Sequence, residues 1–391
     1  MVLLKEFQVR GKRIELPIFL PDATHGFVRG VSTLDLVSCG IKGLVVNTYH
    51  LFRDGIVDEI KQKGGIAKYM GLPREMMTIT DSGGFQVFSI IHNSNNHYGY
   101  INDEGATFTF DAERIIQDFS NSRGAQEPKS KVFDRRKIEL TPEKCIQIQI
   151  DIGADIIMCL DDCTSPEMSE EEQKKSVERT VAWAERCKKE FLILIKNMKE
   201  NERPLIFGII QGGKNLELRK KCADELIRVG FDGYAFGGWP AEDGKFLHDI
   251  LKYTCELMPD DKPKYAMGVG RPEDIVNCTC MGYNMFDCVI PTREARNNRL
   301  YAFKSSFLSL LRKPRKPSGK NNFYRYVRVR NANYKEDKKP ISRHCIGICC
   351  RDYKKSDIYK LFREKDKESI RLATMHNLRF YSMLMEMLKR K

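Results

Sequence analysis

No apolar run in this 391-residue chain approaches the roughly 18 residues that a membrane-spanning helix needs. A signal-peptide core is missing too, because charge arrives early, at Lys5 and Glu6. The 13 cysteines follow no disulfide framework; most stand singly inside apolar segments, as reduced thiols of a cytoplasmic protein do. Gly268-Val-Gly270 is not followed by the third glycine of a dinucleotide fingerprint. With 41% hydrophobic and 30% charged residues, the chain reads as globular and is neither disordered nor fibrous. Secreted, membrane and disulfide-scaffold readings fall away.

What is present in excess is positive charge, and it is concentrated. The net charge is +13, and ten of those charges arise between Lys304 and Lys339, where twelve Lys and Arg face only Glu336 and Asp337. Phe323, Tyr324, Tyr326 and Tyr334 are interleaved with these cations. Cations mixed with aromatics suit RNA, whose phosphates are neutralised and whose bases are stacked upon. The same composition also fits a solvated surface loop.

From residue 40 to 290 one pattern recurs: a short apolar run, a polar or Gly ending, then an amphipathic segment. The runs begin at Gly43, Met77, Asp155, Pro204, Gly233, Tyr265 and Met285. Continuous apolar strands alternating with helices imply a parallel sheet covered on both faces. At least seven such units predict a (β/α)8 barrel, spanning residues 1–303. Residues 91–135 are polar and then charged, and read as an inserted excursion. It ends at Thr141-Pro-Glu143, a helix start with Pro in the first turn. Residues 304–391 follow as a basic insertion, a Cys/His cluster and C-terminal helices.

In a barrel of this kind the active site lies at the C-terminal ends of the strands. That rim is predicted to gather Asp81, the Asp161/Asp162 pair, Gln211, Gly237, Gly238, Met267 and Asp287. No histidine stands among these strand ends, so chemistry there runs on carboxylates. Carboxylates on opposite sides of a sugar perform glycosidic-bond chemistry, one attacking the anomeric carbon and another moving protons. The alternative for any one of them is a salt-bridged or solvated loop acid. Near the C-terminus, Cys345, Cys349, Cys350 and His376 offer three thiols and an imidazole, a donor set for structural zinc; buried free thiols are the other reading.

Several phrases are longer than chance allows: Asn47-Thr-Tyr-His-Leu51, Asp81-Ser-Gly-Gly-Phe-Gln-Val87, Gly208-Ile-Ile-Gln-Gly-Gly213, Met267-Gly-Val-Gly270, Phe286-Asp-Cys-Val-Ile-Pro-Thr-Arg293 and His376-Asn-Leu-Arg-Phe-Tyr381. In this order they resemble the tRNA-guanine transglycosylases, zinc-bearing TIM barrels also called queuine tRNA-ribosyltransferases. The resemblance covers nearly the whole chain. It implies exchange of guanine at the wobble position of a G34 tRNA for a 7-deazaguanine, either preQ1 or queuine. By the same resemblance Asp287 is the nucleophile and Asp81 the general acid/base. Ser82, Phe85, Asp161, Cys163, Gln211, Gly237, Gly238 and Met267 form the base pocket, and Arg293 and Arg296 contact RNA. A homodimer in the cytoplasm is implied as well. The other readings of such a chain are a non-catalytic accessory subunit and a transglycosylase acting on DNA.

The departures are local. Gly347 stands where the family's middle zinc cysteine is expected, so Cys349 is expected to substitute, alongside Cys345, Cys350 and His376. Trp239-Pro-Ala-Glu-Asp243 replaces a loop that in the family opens on Leu and small residues. The charged insertion at 111–135 and the basic one at 312–340 are longer than usual.

Overall fold

A computed structural model describes residues 4–92, 99–109, 137–165, 167–304 and 323–390. The charged segment 111–135 and the cations between Lys304 and Phe323 lie outside the described residues. Eight parallel strands form one sheet: β1 (Ile18–Pro21), β2 (Gly43–Asn47), β3 (Met77–Asp81), β4 (Ile156–Met158), β5 (Leu205–Ile210), β6 (Gly233–Phe236), β7 (Lys264–Ala266) and β8 (Met285–Cys288). Their spatial order is β1-β8-β7-β6-β5-β4-β3-β2. The ends meet through the Asp22–Val45 bridge and the Ala23 N–H to Val45 carbonyl bond of 2.7 Å, so the sheet closes. This is a (β/α)8 barrel. The seven predicted runs are seven of its strands. The eighth, β1, sits before residue 40 in Leu16-Pro-Ile-Phe-Leu-Pro21, too short and proline-flanked to show periodicity.

Alternation along the strands separates two apolar cores. Ile18, Leu20, Met77, Ile79, Ile156, Met158, Phe207, Ile209 and Met285 fill the barrel. The hairpin Glu6–Val9 with Lys12–Glu15 plugs its lower end, placing Val9 and Ile14 in the same cluster. The outward residues of the strands meet the helices in a second, larger core.

Local signals account for the helices that shape the mouth. The helix α1 (Pro142–Ile152) starts with Thr141 accepting the Lys144 N–H at 3.2 Å and stops at Gly153, whose φ of 71° suits glycine. The helix α2 (Glu170–Ile195) has a capping box of Ser169 and Glu172, with three acids in its first turn facing the positive end of the dipole. Val177, Thr180, Ala184, Cys187 and Phe191 recur at helical spacing on its buried face. Three short strands, Gly99–Asn102, Gly105–Thr109 and Lys137–Leu140, form a small antiparallel sheet from the described part of the excursion. It is fastened to α2 by the Trp183 indole N–H to the Asp103 carbonyl, 2.8 Å.

After the last barrel strand, β9 (Arg299–Phe303) pairs antiparallel with β10 (Tyr324–Arg328). The long C-terminal helix α7 (Lys367–Leu388) packs Leu378, Tyr381 and Leu384 into the barrel's outer core. Arg371 on that helix donates two hydrogen bonds to buried Asp35, at 2.9 and 2.5 Å. The C-terminal region is thereby tied to the first quarter of the chain.

One side chain replaces missing sheet. Strands β3 and β4 share a single register pair, Ile79 with Ile156, before they part. Gln149 of α1, fully buried, fills the gap. Its Oε1 accepts from the Met158 N–H (2.8 Å) and the Thr80 hydroxyl (2.7 Å), and its Nε2 donates to the Met158 carbonyl (2.8 Å). The amide acts as a surrogate peptide group, letting the strand ends diverge without orphaned donors. Replacing it, Gln149→Leu, strands the Met158 N–H and carbonyl and is expected to cost about 3 kcal/mol, read from the shift in urea midpoint. A loss below about 0.5 kcal/mol would show that water satisfies those groups instead.

Candidate active site

The diverging strand ends open onto a cavity of about 580 Å³. Asp81, Phe85, Asp161, Cys163, Gly237, Gly238, Met267, Asp287 and Arg293 all line it, so nine of the expected site residues share one mouth. Ser82 and Gln211 do not open onto it. They stand behind Asp161 and hold it: the Ser82 hydroxyl donates to Oδ1 at 3.1 Å and the Gln211 amide to Oδ2 at 2.7 Å. Asp162 turns away, accepting from Arg179 at 2.6 Å. The pair is thus divided into a cavity acid and a structural one. Gly84 leaves Asp161 its place, for a Cβ there would fall 2.0 Å from Oδ1.

Each carboxylate has its own support. Asp81 accepts the Asn47 amide at 2.7 Å, and that amide also donates to Gln86 at 3.1 Å. Asp287 accepts the Gly268 N–H at 2.8 Å and faces the buried Tyr265 hydroxyl. Burial raises all three acids, and a neighbouring carboxylate adds to each: Asp161 and Asp287 to Asp81, Asp162 to Asp161 and Asp22 to Asp287. Asp81 goes to about 7, by burial and then by Asp161 and Asp287. Asp161 goes to about 6, by burial against the hydrogen bonds of Gln211 and Ser82. Asp287 also goes to about 6, burial outweighing its bonds to Gly268 and Tyr265. Of the three, Asp81 is the acid that holds a proton most readily near neutrality, as a group that moves protons must.

The walls are apolar and aromatic. Phe85 is 47% exposed at the mouth, its ring set 5.7 Å from that of Trp239 at 60°. Trp239, Pro240 and Ala241 line the cavity beneath the short hairpin Ala241–Glu242 with Lys245–Phe246. Lys214 anchors that hairpin through both Glu242 oxygens, at 2.8 and 3.0 Å. At the rim, Arg296 of α6 (Ile290–Arg296) lies among Arg29, Arg293 and Asp22, and its buried Nη1 has no hydrogen-bond partner among the described residues. Burial and the two neighbouring arginines lower its pKa.

Sequence reasoning missed Asp22, Asn47, Tyr265 and Trp239 as cavity residues. Asn47 was visible in the Asn47-Thr-Tyr-His-Leu51 phrase, but a polar residue there also reads as a helix cap. It is one: its Oδ1 accepts the His50 N–H at 3.1 Å while its Nδ2 serves Asp81. Tyr265 reads as core because it is.

Cys345, Cys350 and His376 meet near α7, with one ligand atom from each within 4.8 Å of the others. The His376 Nε2 is 2.6 Å from the Tyr301 carbonyl, which places the proton on Nε2 and leaves the Nδ1 lone pair toward Cys350, at 3.3 Å. These donors fit a metal ion. Cys349 is not one of the three. Its thiol interacts with His376 as that of Cys345 does, and its side chain shares with Cys350 the apolar cluster of Val327, Ile341, Ile358 and Phe362. A Cβ at Gly347 would lie 3.4 Å from the Cys345 Sγ, so that position adjoins the cluster directly.

The basic stretch divides. On β10, Arg325, Tyr326 and Arg328 are exposed, whereas Phe323 is buried and Tyr324 bonds Glu273 through its hydroxyl at 2.6 Å. Tyr326 is exposed, although its ring also packs against Tyr301 and beneath Arg299.

A closed parallel barrel carrying three raised carboxylates around one mouth belongs with the (β/α)8 barrel enzymes. The sequence comparisons narrow this. The queuine tRNA-ribosyltransferase family model matches residues 4–126 and 117–391. A queuine tRNA-ribosyltransferase of Mannheimia succiniciproducens is 36% identical over 377 residues, 96% of this chain and 85% of that protein. Those of a Psychrobacter species (35% over 374 residues, 95% and 85%) and Actinobacillus succinogenes (36% over 374 residues, 95% and 84%) are similarly related. The chain belongs to the queuine tRNA-ribosyltransferase family.

The raised acids carry a pH signature. Between about pH 4 and about pH 7 the folded protein holds a proton on Asp81 that the unfolded chain releases, so this group lowers stability as pH rises through that window. Asp81→Asn should be more stable than the parent at about pH 8, with the gap closing toward about pH 4. Thermal melting across that range checks it; a pH-independent gap would mean that Asp81 titrates as an ordinary carboxyl.

Proposed function

We propose that this protein exchanges the guanine at the wobble position of a tRNA for a 7-deazaguanine, through a covalent bond between Asp287 and the ribose. The observation that carries this is the shared mouth in which Asp287 and Asp81 lie together, Asp81 being the one that holds a proton more readily near neutrality. The ionised Asp287 attacks C1′, and the bond from C1′ to the base breaks. The Asp81 proton passes to the departing guanine. The resulting carboxylate then takes the ring N–H proton of the incoming base, whose nitrogen attacks C1′ and expels Asp287. Atoms and protons balance, and no oxidant enters.

Asp161 accepts the N–H groups on the Watson–Crick side of the base, held for that task by Ser82 and Gln211. The Gly238 backbone N–H, on the cavity wall, serves the other edge. Phe85 and Met267 clamp the ring, and Cys163 packs beside it. A base inside an anticodon loop must be extruded to reach the cavity, and Arg293 and Arg296 at the rim bind the flanking phosphates. Exposed Arg325, Tyr326 and Arg328 extend that footprint. Retention of both Asp81 and Asp287 speaks against an accessory subunit.

We also propose that Cys345, Cys350 and His376 hold a structural zinc ion, which would cross-link the segment before α7 to α7 itself. A homodimer, cytoplasmic location and a division of the chain near residue 303 belong to the same reading. Among the described residues no helix is long and apolar enough to cross a membrane.

The test is incorporation of labelled guanine into unmodified tRNA, with a wobble G→A transcript and duplex DNA as controls. Label in tRNA alone, lost with the altered transcript, is expected. No label in tRNA from folded protein would leave an accessory subunit, and label in DNA a different nucleic-acid substrate. Asp287→Ala should abolish incorporation while retaining tRNA binding; turnover near the parent's would remove it from its role. Metal analysis should find about one zinc per chain, and Cys350→Ser should lose most of it along with several degrees of melting temperature. Full zinc content in that variant would exclude Cys350 as a ligand.

A further inference from the structure

Arg219 is the one charged residue among the largest fully buried side chains, at 1% exposure. It lies in the first turn of α3 (Leu216–Val229), behind the cavity wall. Among the described residues no carboxylate pairs with it. Its hydrogen bonds go instead to three backbone carbonyls: Nη1 to Ile210 at 2.7 Å and to Gly237 at 3.0 Å, and Nε to Gly213 at 3.0 Å. The guanidinium rests over the Phe236 ring, 4.3 Å from its centroid.

A buried cation without a counter-ion is expensive, and an apolar side chain of similar length would serve packing better. The position of its three acceptors explains the cost. Ile210 ends β5 and precedes Gln211; Gly237 follows β6 and precedes Gly238; Gly213 closes the turn between β5 and α3. At the mouth the Ile210 carbonyl still takes the Gly237 N–H at 3.0 Å, whereas the carbonyls of Gly237 and Gly213 lie past the last register pair, Ile210 with Phe236. A planar fork of donors serves all three at once, which neither Lys nor Gln can match. A Cβ on Gly238 would lie 3.5 Å from both the Arg219 Nη2 and the Gln211 Oε1, so guanidinium and amide sit together directly beneath that backbone.

We infer that Arg219 is a positioning residue for base recognition: it ties the end of β5 to the end of β6 and so sets the spacing between Gln211 and the Gly237–Gly238 backbone. This rests on the base-exchange reading above. A loosened clamp spoils the seat of the free base without touching the phosphate contacts of the tRNA, so its effect falls on one substrate.

The experiment measures KM for guanine and for tRNA, with melting temperature, in the parent, Arg219→Lys and Arg219→Gln. Arg219→Gln should raise the guanine KM at least tenfold and Arg219→Lys by less, while the tRNA KM stays within about twofold. A guanine KM within twofold of the parent's in folded Arg219→Gln overturns the inference. So do equal rises in both KM values, or the failure of both variants to fold, either of which makes the arginine merely structural. A parent that exchanges no guanine would overturn the base-exchange reading and this inference with it; an active parent beside unchanged variants overturns this inference alone.

Discussion

Three carboxylates share one mouth, with Asp161 and Asp287 both repelling Asp81, and the rim is organised around keeping them there. Asp81, Asp161 and Asp287 come from strands β3, β4 and β8, or the residues just past them, and none has a cationic partner among its hydrogen bonds. Neutral donors hold them instead: the amides of Asn47 and Gln211, the hydroxyls of Ser82 and Tyr265, the Gly268 N–H. Neutral donors fix geometry without fully cancelling the burial penalty, so the pKa values stay high and the acids stay useful near neutrality. A lysine or arginine beside each would have made three stable salt bridges and an inert site, as the Arg179–Asp162 pair shows one residue away.

Room for these acids is made by strand divergence, and divergence has its own cost in unpaired peptide groups. The molecule meets that cost with side chains that imitate peptide groups or several donors at once. Gln149 stands in for a strand between β3 and β4, and Arg219 serves the carbonyls at the ends of β5 and β6. Both are fully enclosed polar residues on helices outside the barrel, reaching inward. The catalytic mouth therefore depends on residues that never meet a substrate.

Outside the barrel, the C-terminal region is coupled to it at two levels. The Arg371–Asp35 pair and the apolar face of α7 fix the helix to the barrel. The Cys345, Cys350 and His376 cluster fixes the segment before that helix to β9, through the Tyr301 carbonyl. The hairpin of β9 and β10 thus presents Arg325, Tyr326 and Arg328 from a base fastened to α7.

Much of the architecture was legible in the residues alone. Continuous apolar runs with polar endings specify parallel strands and tell which end of each strand bears chemistry, because period and punctuation are local properties. Seven strands, the Thr141-Pro142 helix start and six cavity residues followed from that, while Phe85, Cys163 and Arg293 came from the family resemblance. β1 did not, being four residues between prolines. Local order also could not say which way a side chain turns: that Asp161 enters the cavity while Asp162 pairs with Arg179, that Ser82 and Gln211 stand behind the acid, that Phe323 is core, or that Cys345, Cys350 and His376 are the donors that gather. Nor could it show that Arg219, an unremarkable cation in an amphipathic helix, is buried against the strand ends. Those outcomes depend on long-range closure of the barrel, which alone sets what lies opposite each residue, and hence which polar groups water can no longer reach.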